Sequence, residues 1–487
     1  MHQLVTKPLH LELNNRTCIQ PKAYLCAMQN LLQNDDTIIA LATPQGVGAI
    51  GVIRLSGKEA ISITNKVFRG KDLSKQESHT IHFGTIRDED NRILDEVLIS
   101  LFIAPKSFTK ENVVEISCHG SNFIIKQIIQ LLIRKGARPA KPGEFTKRAF
   151  INGQFDLAQA EAVADLINAD TEAAHNAALN QMRGGFSGEI KRLREELIHF
   201  ASMIELELDF GEEDVEFASR DDLKELVNKL QVVVNALIQS FDLGNVIKNG
   251  VPTVIAGKPN AGKSTLLNAL LNEEKAIVSD IAGTTRDFIE DEIVIGGVAF
   301  RFIDTAGLRE TTDAIEKIGV ERTQAKMKTA SMIIYLFDLS QVDIVEMNKE
   351  INVLENTGVP FLKVGNKLDK VDDALVEKLQ HQHPDMLFLT AKEPEHVEEL
   401  KNRILELVNL NKFKRGDTVV TNIRHYDSLL QTKNALMNVI EGIDNQVTND
   451  FVAMDIRQAL HYLGEITGEI TTDDLLANIF SKFCIGK

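Results

Sequence analysis

The sequence predicts a multidomain fold, with an N-terminal α+β domain, an α-helical bundle domain, and an α/β domain inserted into the helical region. Three observations predict it. Short apolar runs closed by Pro or Gly occupy Thr37 to Phe102, and long helical periodicity with almost no Pro runs from Asp156 to Ser240. Strand-like and helical segments then alternate from Val251 to about Leu410, after which the helical pattern returns. A chain of 487 residues is a prior for about two to four domains. Its 44% hydrophobic and 25% charged composition suits globular material able to bury sizeable cores.

The elements follow in order. Residues 1–35 scatter Lys7, Glu12, Arg16 and Lys22 among apolar residues, without the continuous apolar stretch of a signal peptide. They are expected to be a disordered N-terminal extension, and Met28 is an alternative start. The expected domain 36–151 contains "TIIALATP", "IGVIRLSG" and "EVLISLFIAP" as strands, and "IIKQIIQLLIRKG" as a helix stopped by Gly136. In 152–248, "DLAQAEAVADLINADTEAAHNAAL" is Ala-rich. Leu193, Leu197, Phe200, Ile204 and Leu208 share one helix face, and Leu223, Leu226, Leu230, Val234 and Leu237 share another. In 249–411, "VPTVIAG", "VAFRFID", "SMIIYLFD", "PFLKVGN" and "MLFLTA" read as strands of a doubly wound domain, with a Gly-Gly hairpin turn in "IVIGGVAF". Residues 412–487 resume the helical region, so the α/β domain reads as an insertion between helix ends that lie close together.

The formal charge of −16 argues against a protein that grips nucleic acid by overall attraction. Cys18, Cys26, Cys118 and Cys484 form neither CxxC spacing nor a disulfide framework, which suits reduced thiols in a cytoplasmic protein. No apolar run approaches the roughly 18 residues of a membrane-spanning helix, so no membrane partner is expected. Four tyrosines and no tryptophan offer no obvious stacking platform for bases, so RNA would be held largely with a partner's help.

The central motif is "GKPNAGKS", Gly257 to Ser264, placed after a strand and before a helix. Backbone N–H groups of Asn260, Ala261, Gly262, Lys263, Ser264 and Thr265 would close around phosphates at the positive helix end. Lys263 would neutralise the β/γ-phosphates and Ser264 would hold Mg²⁺. In "NKLD", Asn366 and Lys367 precede Asp369, whose carboxylate accepts from the two ring donors that guanine has and adenine lacks. An unpaired polar group there would discriminate by ~10⁴-fold. "DTAGL" supplies Asp304 for the Mg²⁺ shell, then Thr305 and Ala306, and the Gly307 N–H for the γ-phosphate. "SDIAGTTRD" runs through Ser279, Asp280, Ile281, Ala282, Gly283, Thr284 and Thr285, with Thr285 a switch ligand of Mg²⁺; Arg286 and Asp287 close it as catalytic candidates. "TAK" (Thr390, Ala391, Lys392) fits a weaker fifth motif that reads the guanine carbonyl through backbone. Ordered motifs at this spacing identify an inserted α/β P-loop GTPase domain. Leu308 stands where Ras-like proteins carry the water-orienting Gln, so hydrolysis needs help from elsewhere. Glu310, Asp313 and Glu316 are the nearby acids; a solvated helix start is the plainer reading of all three.

"TIIALATPQGVGAIGVIRLSG", "RPAKPGEFTKRAFINGQFDLAQAEAVADLI", "PNAGKSTLLNAL", "DIAGTTRD", "DTAGLRE" and the terminal "FCIGK" together resemble the MnmE (TrmE) tRNA-modification GTPases, from about Asp36 to Lys487. The resemblance implies an N-terminal folate-binding and dimerising domain, a helical domain and an inserted G domain. It implies a homodimer whose G domains meet across their switches around K⁺, held by Asn260, Ser279, Ile281 and Thr284, with Glu316 acting through water. A bound cation answers the Leu308 question, since it stabilises transition-state charge in place of an arginine finger. The implied activity is modification of the wobble uridine of certain tRNAs at C5, giving carboxymethylaminomethyl- or aminomethyl-type groups. It implies a heterotetramer with the flavoprotein MnmG and a one-carbon unit on a tetrahydrofolate derivative, 5-formyl- or 5,10-methylene-tetrahydrofolate. Arg54, Glu115, Gln154 and Lys487 correspond to the folate contacts. Gln154 stands where many relatives have Lys in "NGKLDL", which removes one charge.

The resemblance also implies a part in the modification reaction for Cys484, with Lys482 and Lys487 near enough to lower its pKa; an inert buried thiol is the plainer reading of a lone Cys. Cys118-His119 tempts as a nucleophile pair, but adjacent strand residues point to opposite faces, so it reads as structural or pocket-lining. The alternative from another class is a ribosome-assembly GTPase acting as an RNA-binding switch. Such proteins share "GTTRD" and the P-loop but carry a basic module after the G domain, where this chain has an acidic helical segment and FCIGK.

Overall fold

The computed structural model describes residues 36–209, 220–274, 291–303, 330–408 and 418–486. They form two compact units: the described residues up to Asp156 together with those from Thr471 onward, and Leu157–Ile470.

The first unit is built on a sheet of β1 (Thr37–Leu41), β2 (Ile50–Ser56), β3 (Phe68–Arg69), β4 (Thr80–Arg87), β5 (Ile93–Phe102), β6 (Val113–His119) and β7 (Ala137–Pro139). Their order is β3-β4-β5-β6-β2-β1-β7. Alternation decides the faces. Ile53 and Leu55, Ile99 and Leu101, and Val114 and Ile116 share one core with Ile63 of α1 (Ala60–Val67) and with Ile128 and Leu131 of α2 (Asn122–Arg134). Arg54 lies opposite Glu115, and Ile50 opposite His119, in the β2–β6 ladder. Strand β4 escaped the sequence reading because its pattern is inverted: Ile81 and Phe83 are exposed while His82 and Gly84 face inward. A helix α3 (Glu144–Ile151) follows β7.

In the second unit, α4 (Leu157–Ile167), α5 (Glu172–Met182), α6 (Gly185–Asp209) and α7 (Arg220–Asn249) begin the helical bundle. The predicted stripes are its core: Leu193, Leu197, Phe200 and Ile204 pack with Leu223, Leu230, Val234 and Leu237. Among the described residues α7 is, by length and composition, apolar enough to cross a membrane, which the sequence reading did not expect. Its stripe is buried against the other bundle helices.

The inserted domain comprises β8 (Val251–Ala256), α8 (Lys263–Glu274), β9 (Asp291–Ile295), β10 (Val298–Phe302), β11 (Met332–Asp338), α9 (Ile344–Glu355), β12 (Phe361–Asn366), α10 (Asp373–Gln382), β13 (Leu387–Leu389) and α11 (Pro394–Leu407). Its sheet order is β13-β12-β11-β8-β10-β9. The expected hairpin joins β9 to β10 through Gly296 and Gly297, whose φ values of 59° and 82° suit a two-residue primed turn. The bundle then resumes with α12 (Ile423–Asp444) and α13 (Asn449–Thr467). Beyond it the chain returns to the first unit as α14 (Asp473–Ser481), with Leu476 and Phe480 buried. The sequence reading carried the helical segment through 412–487 as one piece. By compactness the residues from Thr471 group with the first unit.

A buried ionic cluster joins the two separated parts of the bundle. Arg424 of α12 grips Glu161 of α4 with Nε at 3.0 Å and Nη2 at 2.8 Å, and its Nη1 donates to the Glu465 carbonyl at 2.6 Å. His425, fully buried and stacked on Phe186, lies 2.7 Å from the same carboxylate. Burial works against ionising Glu161, yet the contacts with His425 and Arg424 hold its carboxyl down at about 2. Burial likewise pushes His425 toward its neutral form. Glu161→Ala would strand the guanidinium without a counter-charge. The expected loss is about 3–5 kcal/mol, read as a lower urea midpoint with unchanged m.

Candidate functional site

The phosphate loop leaves β8 and enters α8, with β11 on one side of β8 and β10 on the other. This crevice at the carboxyl ends of parallel strands is where doubly wound sheets take ligands. Backbone geometry explains the glycines. Gly257 has φ 149°, and a Cβ there would run into the Leu336 carbonyl of β11. Gly262 has φ 98°, and a Cβ there would strike the Asn366 side chain. Asn260 is exposed at φ 65°, a left-handed position that Asn tolerates better than most residues. Lys263 Nζ lies 2.7 Å from the Gly257 carbonyl and 2.8 Å from that of Lys258, and burial lowers its pKa. The ammonium is therefore held over the loop whose N–H groups would face phosphate oxygens. Ser264 sits in the first turn of α8, followed by exposed Thr265.

Asn366, a predicted nucleotide-binding residue, is a structural tie. Its Nδ2 donates to the Ala261 carbonyl at 2.8 Å, and its Oδ1 accepts from the N–H groups of Lys367 at 2.8 Å and Ala391 at 3.1 Å. One buried side chain thus fastens three of the predicted segments to one another. Lys367, at φ 65°, pairs with Asp338 at 2.5 Å across the ends of β11 and β12. Thr390 Oγ1 donates to Asp369 at 3.5 Å, while Lys392 is exposed. The candidates Ser279, Asp280, Ile281, Ala282, Gly283, Thr284, Thr285, Arg286, Asp287, Asp304, Thr305, Ala306, Gly307 and Glu316 lie outside the described residues, as does Leu308.

A second cluster lies in the first unit. Arg54 on β2 donates through Nε to Glu115 Oε1 of β6 at 2.8 Å, and its Nη1 reaches the Gly486 carbonyl at 3.3 Å. The guanidinium lies 5.9 Å from the Phe108 ring centre and 5.8 Å from that of Phe145, within cation–π range. The terminal motif is fixed there by backbone contacts. Gly486 is buried at φ 99° where a Cβ would meet the Leu41 carbonyl, and the Cys484 carbonyl accepts from Gly143 N–H at 3.4 Å. The Cys484 thiol is exposed, unlike the buried Cys118. Gln154 is exposed, with its backbone N–H tied to the Ala149 carbonyl at 2.8 Å; Lys487 lies outside the described residues. Sequence reading missed Phe108, Phe145 and the Gly486 carbonyl. The last of these meets Arg54 across 432 positions, so no local pattern signals it.

Comparison with known proteins adds to this geometry. A family model described as the MnmE helical domain matches residues 157–484, and one described as GTP-binding protein TrmE N-terminus matches residues 37–154. The tRNA modification GTPase MnmE of Cytophaga hutchinsonii is 63% identical over 452 residues, covering 93% of this chain and 98% of that protein. The protein of the same name from Bacteroides thetaiotaomicron is 49% identical over 471 residues, covering 93% of this chain and all of its own length. Among solved structures, a single-residue variant of Aquifex aeolicus Era bound to GDP.AlF4− is 26% identical with a TM-score of 0.26, covering 38% of this chain and 67% of that one.

The Asn366 tether yields a test. Asn366→Ala leaves the Ala261 carbonyl and two N–H groups without their partner. At about 1–3 kcal/mol, guanine-nucleotide affinity should fall by about 10- to 100-fold. Titration with a fluorescent GDP analogue measures this, and unchanged affinity would show that the loops hold themselves.

Proposed function

The chain belongs to the MnmE family of tRNA modification GTPases, and on that premise we propose that it is the GTP-hydrolysing, folate-using component of a complex that modifies the wobble uridine of certain tRNAs at C5. The complex also contains the MnmG flavoprotein, in a heterotetramer. Arg54 is the observation that carries the reading. Its pairing with Glu115 and its contact with Gly486 bring the terminal Cys-Ile-Gly motif onto the N-terminal sheet, 432 positions away. A nucleotide switch alone does not call for that closure.

In this reading the phosphate loop binds the nucleotide through the N–H groups of Asn260 to Thr265, and Asp369 selects guanine through its two ring donors. The fit of a triphosphate rests on Gly257 and Gly262, whose lack of Cβ leaves the backbone free to close. Mg²⁺ would be held by Ser264 with Thr285 and Asp304. K⁺ would be held by Asn260 with Ser279, Ile281 and Thr284, supplying positive charge against the transition state where Leu308 cannot orient water. Glu316 completes the set by acting through water, with Arg286 and Asp287 as further catalytic candidates. Glu115 suits the paired donors of a pterin, and Arg54 orients that carboxylate. When bound, the tetrahydrofolate derivative supplies the one-carbon unit. Gln154 cannot provide the charge that Lys provides in many relatives. Lys141 and Lys147, which line a cavity of about 360 Å³ with Arg148, Ile151 and Phe480, offer cations for its carboxylate tail instead. The exposed Ile81, Phe83 and Leu98 of β4 and β5 support the homodimer, as an apolar sheet face that a second copy would cover.

Two measurements test the reading. GTP hydrolysis should be faster in potassium than in sodium and should rise with protein concentration. Equal rates in both salts would remove Asn260 from an ion site. Cys484→Ser, in an exposed position, should fold and hydrolyse GTP yet leave tRNA without the C5 group. Nucleoside mass spectrometry showing normal tRNA in such a strain would make the thiol a bystander.

A further inference from the structure

The loop between β5 and β6 holds one residue whose backbone its residue type does not explain. Lys110 has φ 57°, in the left-handed region that most side chains avoid and that glycine or asparagine enters at less cost. Its neighbours each have a local task. Ser107 donates to the Glu111 carbonyl at 2.6 Å, Phe108 lies over the Arg54 guanidinium, and the fully buried Thr109 places Oγ1 2.6 Å from Ser56 Oγ. A turn that needed only this backbone would form more easily with glycine, so the reason for a lysine lies in its side chain.

That side chain reaches across 43 positions. Nζ donates to the Gly153 carbonyl at 2.7 Å, which uses one of the three donors an ammonium carries. The neighbouring Glu111 carboxylate is engaged elsewhere, with one oxygen 2.7 Å from Ser56 Oγ and the other 3.3 Å from Arg148. Among the described residues no carboxylate pairs with Lys110.

The target of the ammonium locates it. The Gly153 carbonyl belongs to the peptide that joins Gly153 to the exposed, neutral Gln154. Asn152 Nδ2 donates to the Thr109 carbonyl at 2.7 Å, and the Phe155 ring packs on Phe108 with centres 5.6 Å apart. Residues on both sides of Gln154 are thus clamped to the loop that covers Arg54. Glu111 and Asn152, the chain neighbours of Lys110 and Gly153, line the cavity that holds Lys141 and Lys147. The loop carrying Lys110 therefore touches Arg54 at Phe108 and the cavity at Glu111.

We propose that Lys110 supplies the cation that position 154 lacks, taking a carboxylate on the glutamate tail of the tetrahydrofolate derivative. The proposal rests on the folate reading of this site. The tail carries two carboxylates, and Lys110 joins Lys141 and Lys147 in meeting them. An ammonium and a carboxylate form a charge-assisted hydrogen bond, which the neutral Gln154 cannot match.

Titration of the full chain with 5-formyl-tetrahydrofolate, and with its glutamate dimethyl ester in which both carboxylates are neutral, tests this. Lys110→Gln keeps a donor for the Gly153 carbonyl but removes the charge. It should weaken binding of the free acid by about 3- to 10-fold, while the ester binds the variant and the unaltered chain within about twofold of each other. Adding Gln154→Lys to Lys110→Gln should bring the free acid back to within about twofold of its original affinity, which a merely structural loss would not permit. Unchanged binding of the free acid by Lys110→Gln, or a loss that the ester shares or that Gln154→Lys leaves unrepaired, overturns the proposal. Failure of the underlying reading looks different: the unaltered chain would bind no 5-formyl-tetrahydrofolate, or Arg54→Ala would bind it equally well.

Discussion

The second unit depends on the closing of a bundle whose parts are separated by an entire α/β domain. Glu161 and Arg424 meet across 263 positions, and both are largely withdrawn from water. An isolated ion in such a place costs several kcal/mol, so each is tolerable only when the other has arrived. The cluster therefore penalises partly assembled bundles while contributing little against a hydrophobic substitute. Around it the apolar stripes of α6, α7, α12 and α13 supply the larger favourable term.

The same logic recurs at smaller scale in the two sites. Asn366 links the phosphate loop to the loops after β12 and β13, so a shift of one is felt by the others. Arg54 links the N-terminal sheet to Gly486 of the terminal motif, with two aromatic rings limiting its freedom. Asn366 spends its hydrogen-bonding capacity on backbone groups, whereas Arg54 divides its own between the Glu115 carboxylate and the Gly486 carbonyl.

Legibility in the sequence followed the range of the interactions. The phosphate loop, the hairpin glycines, the helix stop at Gly136 and the bundle stripes were readable because each is decided within a few residues. The loops after β12 and β13 were placed correctly because their spacing is fixed by strand-loop-helix units. Strand β4 was not, since its apolar residues face outward and its glycine is demanded by the Phe68 ring, a tertiary neighbour. The grouping of α14 with the first unit was not readable either, because its ordinary amphipathic pattern does not reveal which core receives it.

Periodicity, turn residues and motif chemistry thus determined the kinds of element and the glycine-rich turn between β8 and α8, as short-range sterics and hydrogen bonding leave few choices at those positions. Tertiary structure alone decided that Gly486 would lie on Arg54, that Asn366 would tie three loops, and that Lys110 would reach the Gly153 carbonyl. These depend on sheet order and on where the chain's end returns, and neither follows from local preference. The physical reason is that burial and partner geometry, not residue type, set whether a polar side chain serves as scaffold or as reagent.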